Sequence, residues 1–137
     1  DGTVRHSARA FPSLLDVTMK RLAPNGIFKQ RVDHYLQSNT DPDQPRDVDW
    51  VVGACMLIRA EALQKTGTFD PRFFLFFEDI DLCRRVKLAG YRIQYFPRAI
   101  ADDRKQRLTD GHFLSLLTSK SGRAHIISTF QYFWKWR

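Results

Sequence analysis

The sequence predicts an α/β fold. Three observations lead to this prediction. Residues 50–58 form an unbroken apolar run of strand length, residues 78–89 carry an apolar stripe with helical spacing, and residues 91–96 alternate apolar and polar side chains. The chain has 137 residues, of which 43% are hydrophobic. This is enough apolar material for one modest core, so we expect a single domain.

The first segment, residues 1–47, is predicted to hold a short helix and an exposed loop. The helix covers residues 13–22, because Ser13 is a good cap after Pro12 and the Pro-Asn-Gly sequence at 24–26 stops it. Residues 38–45 are rich in turn-forming residues and poor in apolar ones. We therefore expect them to form an exposed loop.

The second segment, residues 48–101, is predicted to hold the core. The apolar run at 50–58 is typical of a strand buried on both faces, and we expect it to be central, with the strand at 91–96 beside it. A short helix over 59–66 is expected to end at Gly67, which tolerates a positive φ. The helix over 78–89 has acidic residues in its first turn and basic residues later, in agreement with the helix dipole.

The third segment, residues 102–137, is predicted to be a basic, aromatic, helical tail. Its helical pattern runs over 108–136 with a weak break at 121–122. Two interpretations stay open, since such a composition suits the headgroup region of an anionic bilayer and equally suits packing onto the sheet or a second chain. The aromatic residues concerned are Phe113, Phe130, Tyr132, Phe133, Trp134 and Trp136.

The net charge, the lengths of the apolar stretches and the cysteine spacing favour some classes of protein and disfavour others. The net charge is +7, which suits a partner carrying phosphate or anionic lipid. No apolar stretch approaches the roughly 20 residues that a membrane-spanning helix needs. Cys55 and Cys83 have no CxxC or Cys/His spacing around them, which disfavours a disulfide scaffold or a common zinc module, and we expect two buried free thiols. Since the chain does not begin with Met, we also expect a fragment or a processed piece.

Three carboxylates, those of Glu78, Asp79 and Asp81, directly follow the phenylalanine-rich residues 73–77. An apolar setting raises a carboxyl pKa while a helix N-terminus lowers it, so one of the three can serve as a general base. Acidic residues in a first helical turn also occur for capping alone. Spacing by itself therefore leaves a purely structural role open.

Four motifs occur in order over residues 48–97. They are VDWVVGACMLIR at 48–59, GTFDPRFF at 67–74, FEDIDLCRR at 77–85, and AGY at 89–91 followed by YFP at 95–97. This series resembles the C-terminal half of family 2 glycosyltransferases, above all their bacterial rhamnosyltransferase-like members. Residues 1–3 and 9–12 resemble the segment just upstream, so the likeness covers most of the chain.

The resemblance implies that residues 48–101 are the acceptor-side part of a GT-A domain, a mixed sheet with flanking helices. Only the C-terminal half of that fold is then present in this chain. The implied reaction moves a sugar from a nucleotide-sugar to a glycan or lipid-linked acceptor with inversion. Asp79 matches the catalytic base of the family, which takes the proton of the acceptor hydroxyl. The implied acceptor-binding residues are Trp50, Gly53 and Ala54, which line the sugar pocket, Glu78, which orients the acceptor or the base, and Asp81, which caps the helix or joins its hydrogen-bond network.

The same resemblance implies a divalent cation, Mg²⁺ or Mn²⁺, in the full-length enzyme and none in this chain, because the family's Asp-x-Asp motif lies in the first half. Asp41-Pro42-Asp43 has the right letters but no apolar strand before it, so we reject it. Where the family commonly has a metal-contacting His, this chain has Asp102 and Asp103. We treat these two as candidate metal ligands, because carboxylates bind hard cations through oxygen. The four histidines, His6, His34, His112 and His125, fit no ligand spacing, and we expect structural or surface roles.

We therefore expect a cytoplasmic glycosyltransferase piece at the inner face of the cell membrane, inactive by itself and prone to self-association through uncovered apolar surface. The expected partners are a nucleotide-sugar, a glycan or lipid-linked acceptor, and a peripheral membrane contact. The alternative is a basic nucleic-acid-binding or membrane-surface module without enzymatic activity. Nucleic acid ranks far lower, since the phenylalanines at 73–77 are clustered rather than alternating on an exposed sheet.

Overall fold

The computed structural model describes residues 7–22, 27–102 and 119–137. In these ranges the helices are α1 (Leu14–Leu22), α2 (Lys29–Leu36), α3 (Ala60–Thr66), α4 (Glu78–Leu88) and α5 (Lys120–Lys135). The strands are β1 (Ala8–Arg9), β2 (Arg46–Asp47), β3 (Trp50–Val51) and β4 (Gln94–Tyr95). The mixed α/β composition that the sequence predicts is confirmed.

The strands form two separate antiparallel pairs. Strand β1 pairs with β3, with Ala8 opposite Val51, and β2 pairs with β4, with Arg46 opposite Tyr95. The prediction that residues 91–96 lie beside a central strand at 50–58 is therefore wrong for the described sheets. The two segments belong to different pairs, and each contributes only two residues to its pair.

The predicted strand at 50–58 is mostly wrong because the chain leaves the sheet after Val52. The Val52 amide still donates to the Ser7 carbonyl at 3.0 Å, but the next amide, that of Gly53, donates to a carboxylate of α4 instead of a strand. Residues 53–55 then form an exposed turn. Cys55 is consequently exposed, contrary to the prediction, whereas Cys83 is buried as predicted.

The predicted helices at 13–22, 59–66 and 78–89 are confirmed as α1, α3 and α4. Ser13 caps α1 reciprocally, since its Oγ accepts the Asp16 amide and its own amide donates to the Asp16 carboxylate. Gly67 ends α3 with a φ of 78°. Helix α2 was not predicted, although Val32 and Tyr35, both buried, have the three-residue spacing of a helix face.

The tail is helical over α5, and residues 108–118 of the predicted helix lie outside the described residues. The expected break at 121–122 is instead the first turn of α5, where the Ser119 hydroxyl accepts the Gly122 amide at 3.0 Å. No helix in the described part of the chain is both long and apolar enough to cross a membrane. The core joins α5 to the rest, and its buried members are Tyr35, Trp50, Phe73, Phe77, Ile80, Cys83 and Tyr132.

The aromatic residues in α5 and directly after it lie on two sides of the helix. Tyr132 is completely buried, and Phe133 and Trp136 pack against the core. Phe130 and Trp134 are exposed, and Phe113 lies outside the described residues. Packing onto the rest of the protein therefore accounts for only one side of this helix.

Candidate active site

Helix α4 begins with an uncommon backbone conformation. Phe76 and Phe77 both have positive φ, 68° and 67°, which bulky residues rarely adopt. The Phe77 side chain is buried, and its ring centroid lies 5.2 Å from that of Tyr132 and 5.5 Å from that of His125, both on α5. Burial of this ring stabilises the strained turn. The packing of α5 thus helps to define where α4 starts and where its first carboxylates lie.

Asp79 is held by two backbone amides. Its Oδ2 accepts the Gly53 amide at 2.9 Å, and its Oδ1 accepts the Ile80 amide at 2.8 Å. Burial raises the pKa of Asp79, and these two hydrogen bonds only partly oppose that effect. The side chain is not fully enclosed, since Asp79 keeps intermediate exposure. The result is a carboxylate of fixed orientation and raised pKa on a residue that keeps partial exposure.

Gly53 fits closely against Asp79. A Cβ built at Gly53 would lie 3.2 Å from the Cβ of Asp79, closer than most side-chain contacts in proteins. Glycine therefore permits the approach of the 53–55 turn to α4 that makes the hydrogen bond to Asp79 possible. Two of the predicted acceptor-binding residues therefore lie at this place. Gly53 contacts the Asp79 carboxylate, Ala54 follows it in the turn, and both are exposed.

Glu78 carries an unsatisfied buried oxygen. Its Oε2 is buried and has no hydrogen-bond partner among the described residues. Burial raises the pKa of Glu78, and the neighbouring Asp79 charge adds to this effect. An orphan acceptor of this kind is costly unless something donates to it. Glu78 and Asp79 therefore form a pair of adjacent carboxyl groups of raised pKa, which is typical of functional sites.

Trp50 and Asp81, also predicted to bind the acceptor, lie in the interior instead. The Trp50 indole is buried and donates to the Ala10 carbonyl at 2.7 Å. Asp81 is completely buried. Its carboxylate accepts hydrogen bonds from Arg85 Nε at 2.9 Å and Trp136 Nε1 at 2.9 Å, and lies 2.7 Å from Lys135 Nζ. Of the roles proposed for Asp81, this arrangement corresponds to membership of a hydrogen-bond network.

No contact among the described residues joins the predicted metal ligands, Asp102 and Asp103, to Asp79. Asp102 is exposed, and Asp103 lies outside the described residues. Among residues 7–22, 27–102 and 119–137, no three His, Cys, Asp or Glu side chains group closely enough to hold a metal ion. The described carboxylates therefore do not fit a divalent-cation site, and the assignment of Asp102 and Asp103 stays a prediction. In the rejected Asp41-Pro42-Asp43 sequence, the Asp43 amide donates to the Asp41 carboxylate within an exposed turn.

Comparison with known proteins decides the family. The family model described as glycosyltransferase-like family 2 matches residues 33–123, a span that includes the 53–55 turn and all of α4. The chain belongs to this family. The likeness to family 2 glycosyltransferases that the motifs at 48–97 indicate is thereby confirmed.

The chain is also similar in sequence to two bacterial rhamnosyltransferases. The chain is 38% identical over 100 residues to N-acetylglucosaminyl-diphospho-decaprenol L-rhamnosyltransferase of Mycobacterium tuberculosis, which covers 72% of this chain and 32% of the relative. It is 34% identical over 128 residues to rhamnosyltransferase WbbL of Escherichia coli, which covers 93% of this chain and 44% of the relative. The chain thus spans less than half the length of these relatives. No solved structure gives a significant match.

Proposed function

We propose that this chain is the acceptor-side, catalytic-base part of an inverting glycosyltransferase with a GT-A fold, of which it forms the C-terminal half. The substrates are a nucleotide-sugar and a glycan or lipid-linked acceptor. Support for the acceptor class comes from the relative of Mycobacterium tuberculosis, whose name specifies L-rhamnosyl transfer and a diphospho-decaprenol compound. A lipid-linked acceptor meets a soluble donor at a membrane surface, and we place the protein in the cytoplasm at the inner face of the membrane.

In the proposed reaction the Asp79 carboxylate takes the proton of the acceptor hydroxyl. The hydroxyl oxygen forms a bond to the anomeric carbon while the bond to the nucleoside diphosphate breaks on the opposite face, and the electron pair leaves with the diphosphate. A raised pKa favours this role, because a base is more effective when its pKa approaches the working pH. Attack opposite the leaving group inverts the anomeric configuration.

The observation that carries the proposal is the pair of hydrogen bonds from the Gly53 and Ile80 amides to the Asp79 carboxylate, which we call the Asp79 clamp. The Gly53 amide fixes one carboxylate oxygen at the edge of an exposed turn, so the base is oriented before an acceptor arrives. Glu78 is next to it in sequence, and its Oε2 has no hydrogen-bond partner among the described residues. We assign this oxygen to accept a hydrogen bond from a second hydroxyl of the sugar acceptor. We assign Glu78, Gly53 and Ala54 to the acceptor surface, and Trp50 and Asp81 to its support.

A divalent cation, Mg²⁺ or Mn²⁺, is part of the proposal for the full-length enzyme, where it would neutralise charge on the leaving diphosphate. The contribution that we assign to this chain is the base and the acceptor surface, and Asp102 and Asp103 stay predicted metal ligands. We expect the 137-residue chain alone neither to bind a nucleotide-sugar tightly nor to transfer the sugar. Calorimetric titration with a nucleotide-sugar and Mg²⁺ tests this expectation.

The proposed base is tested by Asp79→Asn in a protein that joins this chain to a nucleotide-sugar-binding segment. Asn keeps the shape of Asp and removes the proton acceptor, so we expect kcat to fall by about 10²-fold or more. Asp33→Asn, which changes a carboxylate on α2 paired with Lys29, is the matched control and should leave kcat unchanged. Unchanged turnover in Asp79→Asn would contradict the assignment and make Glu78 the next candidate.

A further inference from the structure

Helix α5 presents an apolar stripe to solvent. Ile127, Phe130 and Trp134 are 56%, 73% and 70% exposed, and their spacing of three and four residues places them on one side of the helix. Phe74, which is 89% exposed, borders the same cavity as Ile127. We call these four side chains the apolar stripe. Large aromatic side chains exposed together are unusual unless something covers them.

The orientation of α5 is fixed from its other side. Ser128 Oγ donates to the Leu75 carbonyl at 2.8 Å, and Tyr132 is completely buried. Near the end of the helix, Lys135 Nζ lies 2.9 Å from Asp70 and 2.7 Å from Asp81. The outward direction of the apolar stripe is therefore set by the packing of the whole helix.

Cations lie beside the apolar stripe. A cavity of about 410 Å³ between residues 72–74 and the first half of α5 is lined by Arg72, Lys120 and Arg123 together with Phe74, Ala124 and Ile127. Helix α5 contains no acidic residue. Lys120 and Arg123 are exposed, and the described residues offer neither of them an ion-pair partner. Arg72 is paired with Asp70, but more than half of its side chain is exposed.

We propose that this face is a docking surface for an anionic lipid bilayer. Lipid phosphates bind at Arg72, Lys120 and Arg123, and the apolar stripe enters the boundary between headgroups and acyl chains, where Trp and Phe are favoured. Exposed cations beside exposed aromatic residues fit a bilayer surface, where anionic headgroups lie above an apolar interior. A second copy of the chain is a poorer occupant, because a symmetric contact would bring the same cations face to face. The proposal does not depend on the role of Asp79.

The test is flotation of the 137-residue chain with vesicles of phosphatidylcholine alone and of phosphatidylcholine mixed with phosphatidylglycerol, at low salt. Lys120→Gln/Arg123→Gln should lower partitioning onto the mixed vesicles roughly 30-fold, given the contribution of each basic residue near an anionic surface. The charge-matched control is Arg59→Gln/Arg98→Gln, which alters two exposed cations outside this face and should lower partitioning no more than about threefold.

The apolar stripe has its own pair of variants. Phe130→Ser/Trp134→Ser should lower partitioning at least tenfold, whereas Leu57→Ser/Ile100→Ser, at two exposed apolar positions elsewhere, should change it little. Circular dichroism checks that each variant is folded. Equal retention by neutral vesicles, equal losses in test and control variants, full competition by inorganic phosphate, or a dimer that Phe130→Ser/Trp134→Ser dissociates would each overturn the proposal.

Discussion

Replacing Asp81 with Asn should destabilise the protein more than any surface change of the same kind. The Asp81 carboxylate is completely buried between α4 and α5. It accepts from Arg85 at 2.9 Å and from Trp136 at 2.9 Å, and it faces Lys135 at 2.7 Å. Asn keeps the volume but removes the charge. Two cations would then lie near a neutral amide, with only Asp70 left to balance Lys135.

The magnitude follows from burial. Breaking a buried ion pair by removing one partner costs about 3–5 kcal/mol, because the remaining charge is uncompensated. Trp136→Phe removes one hydrogen bond to the same carboxylate and should cost about 1.5–3 kcal/mol. Asp33→Asn breaks the Lys29–Asp33 contact, which has the same i,i+4 spacing as Asp81–Arg85 but lies nearer the surface. An exposed pair of this kind contributes about 0.2–1 kcal/mol.

Urea unfolding followed by circular dichroism measures the free energy of unfolding for the four proteins. The expected order of loss is Asp81→Asn, then Trp136→Phe, then Asp33→Asn, with similar m-values. A loss in Asp81→Asn no greater than that in Asp33→Asn would refute the argument, since it would mean that the buried network contributes no more than a surface pair.

Three further outcomes follow from the site and from the cysteines. Gly53→Ala should lower kcat of the joined protein while leaving its circular dichroism unchanged, because the new Cβ lies 3.2 Å from that of Asp79 and must displace the base; equal kcat would show that the clamp is unimportant. Burial raises the pKa of Asp79, so this carboxyl holds its proton more tightly in the folded state than in the unfolded state. The free energy of unfolding should therefore fall as pH rises above the ordinary carboxyl range. Asp79→Asn should lack this loss, and urea titrations at about pH 4 and pH 7 measure it. A thiol reagent should modify exposed Cys55 rapidly and Cys83 only on unfolding, because burial raises the pKa of Cys83 to about 11; two equally fast thiols would contradict this packing.

The sequence predicts local structure here better than it predicts pairing. Helix α4 follows from its own stripe, dipole-compatible charges and the stop at Gly90, all within one short segment. The run at 50–58 has an equally strong pattern, yet it is a strand for only two residues. The competing partner is the Asp79 carboxylate, 26 residues away, which accepts the Gly53 amide. Apolar content alone cannot reveal that a backbone amide is used to hold a side chain.

The candidate site was predictable in its residue types but not in its division of roles. Asp79 and Asp81 are two residues apart on α4, and a helix places such neighbours on different sides. Asp79 consequently faces the exposed 53–55 turn, and Asp81 faces α5. Asp79 has a raised pKa and partial exposure, whereas Asp81 is ion-paired with Arg85 and Lys135. Because both belong to one turn of helix, the contacts that hold Asp81 against α5 also fix the direction in which Asp79 faces, and α5 thereby supports the proposed base from the opposite side of α4.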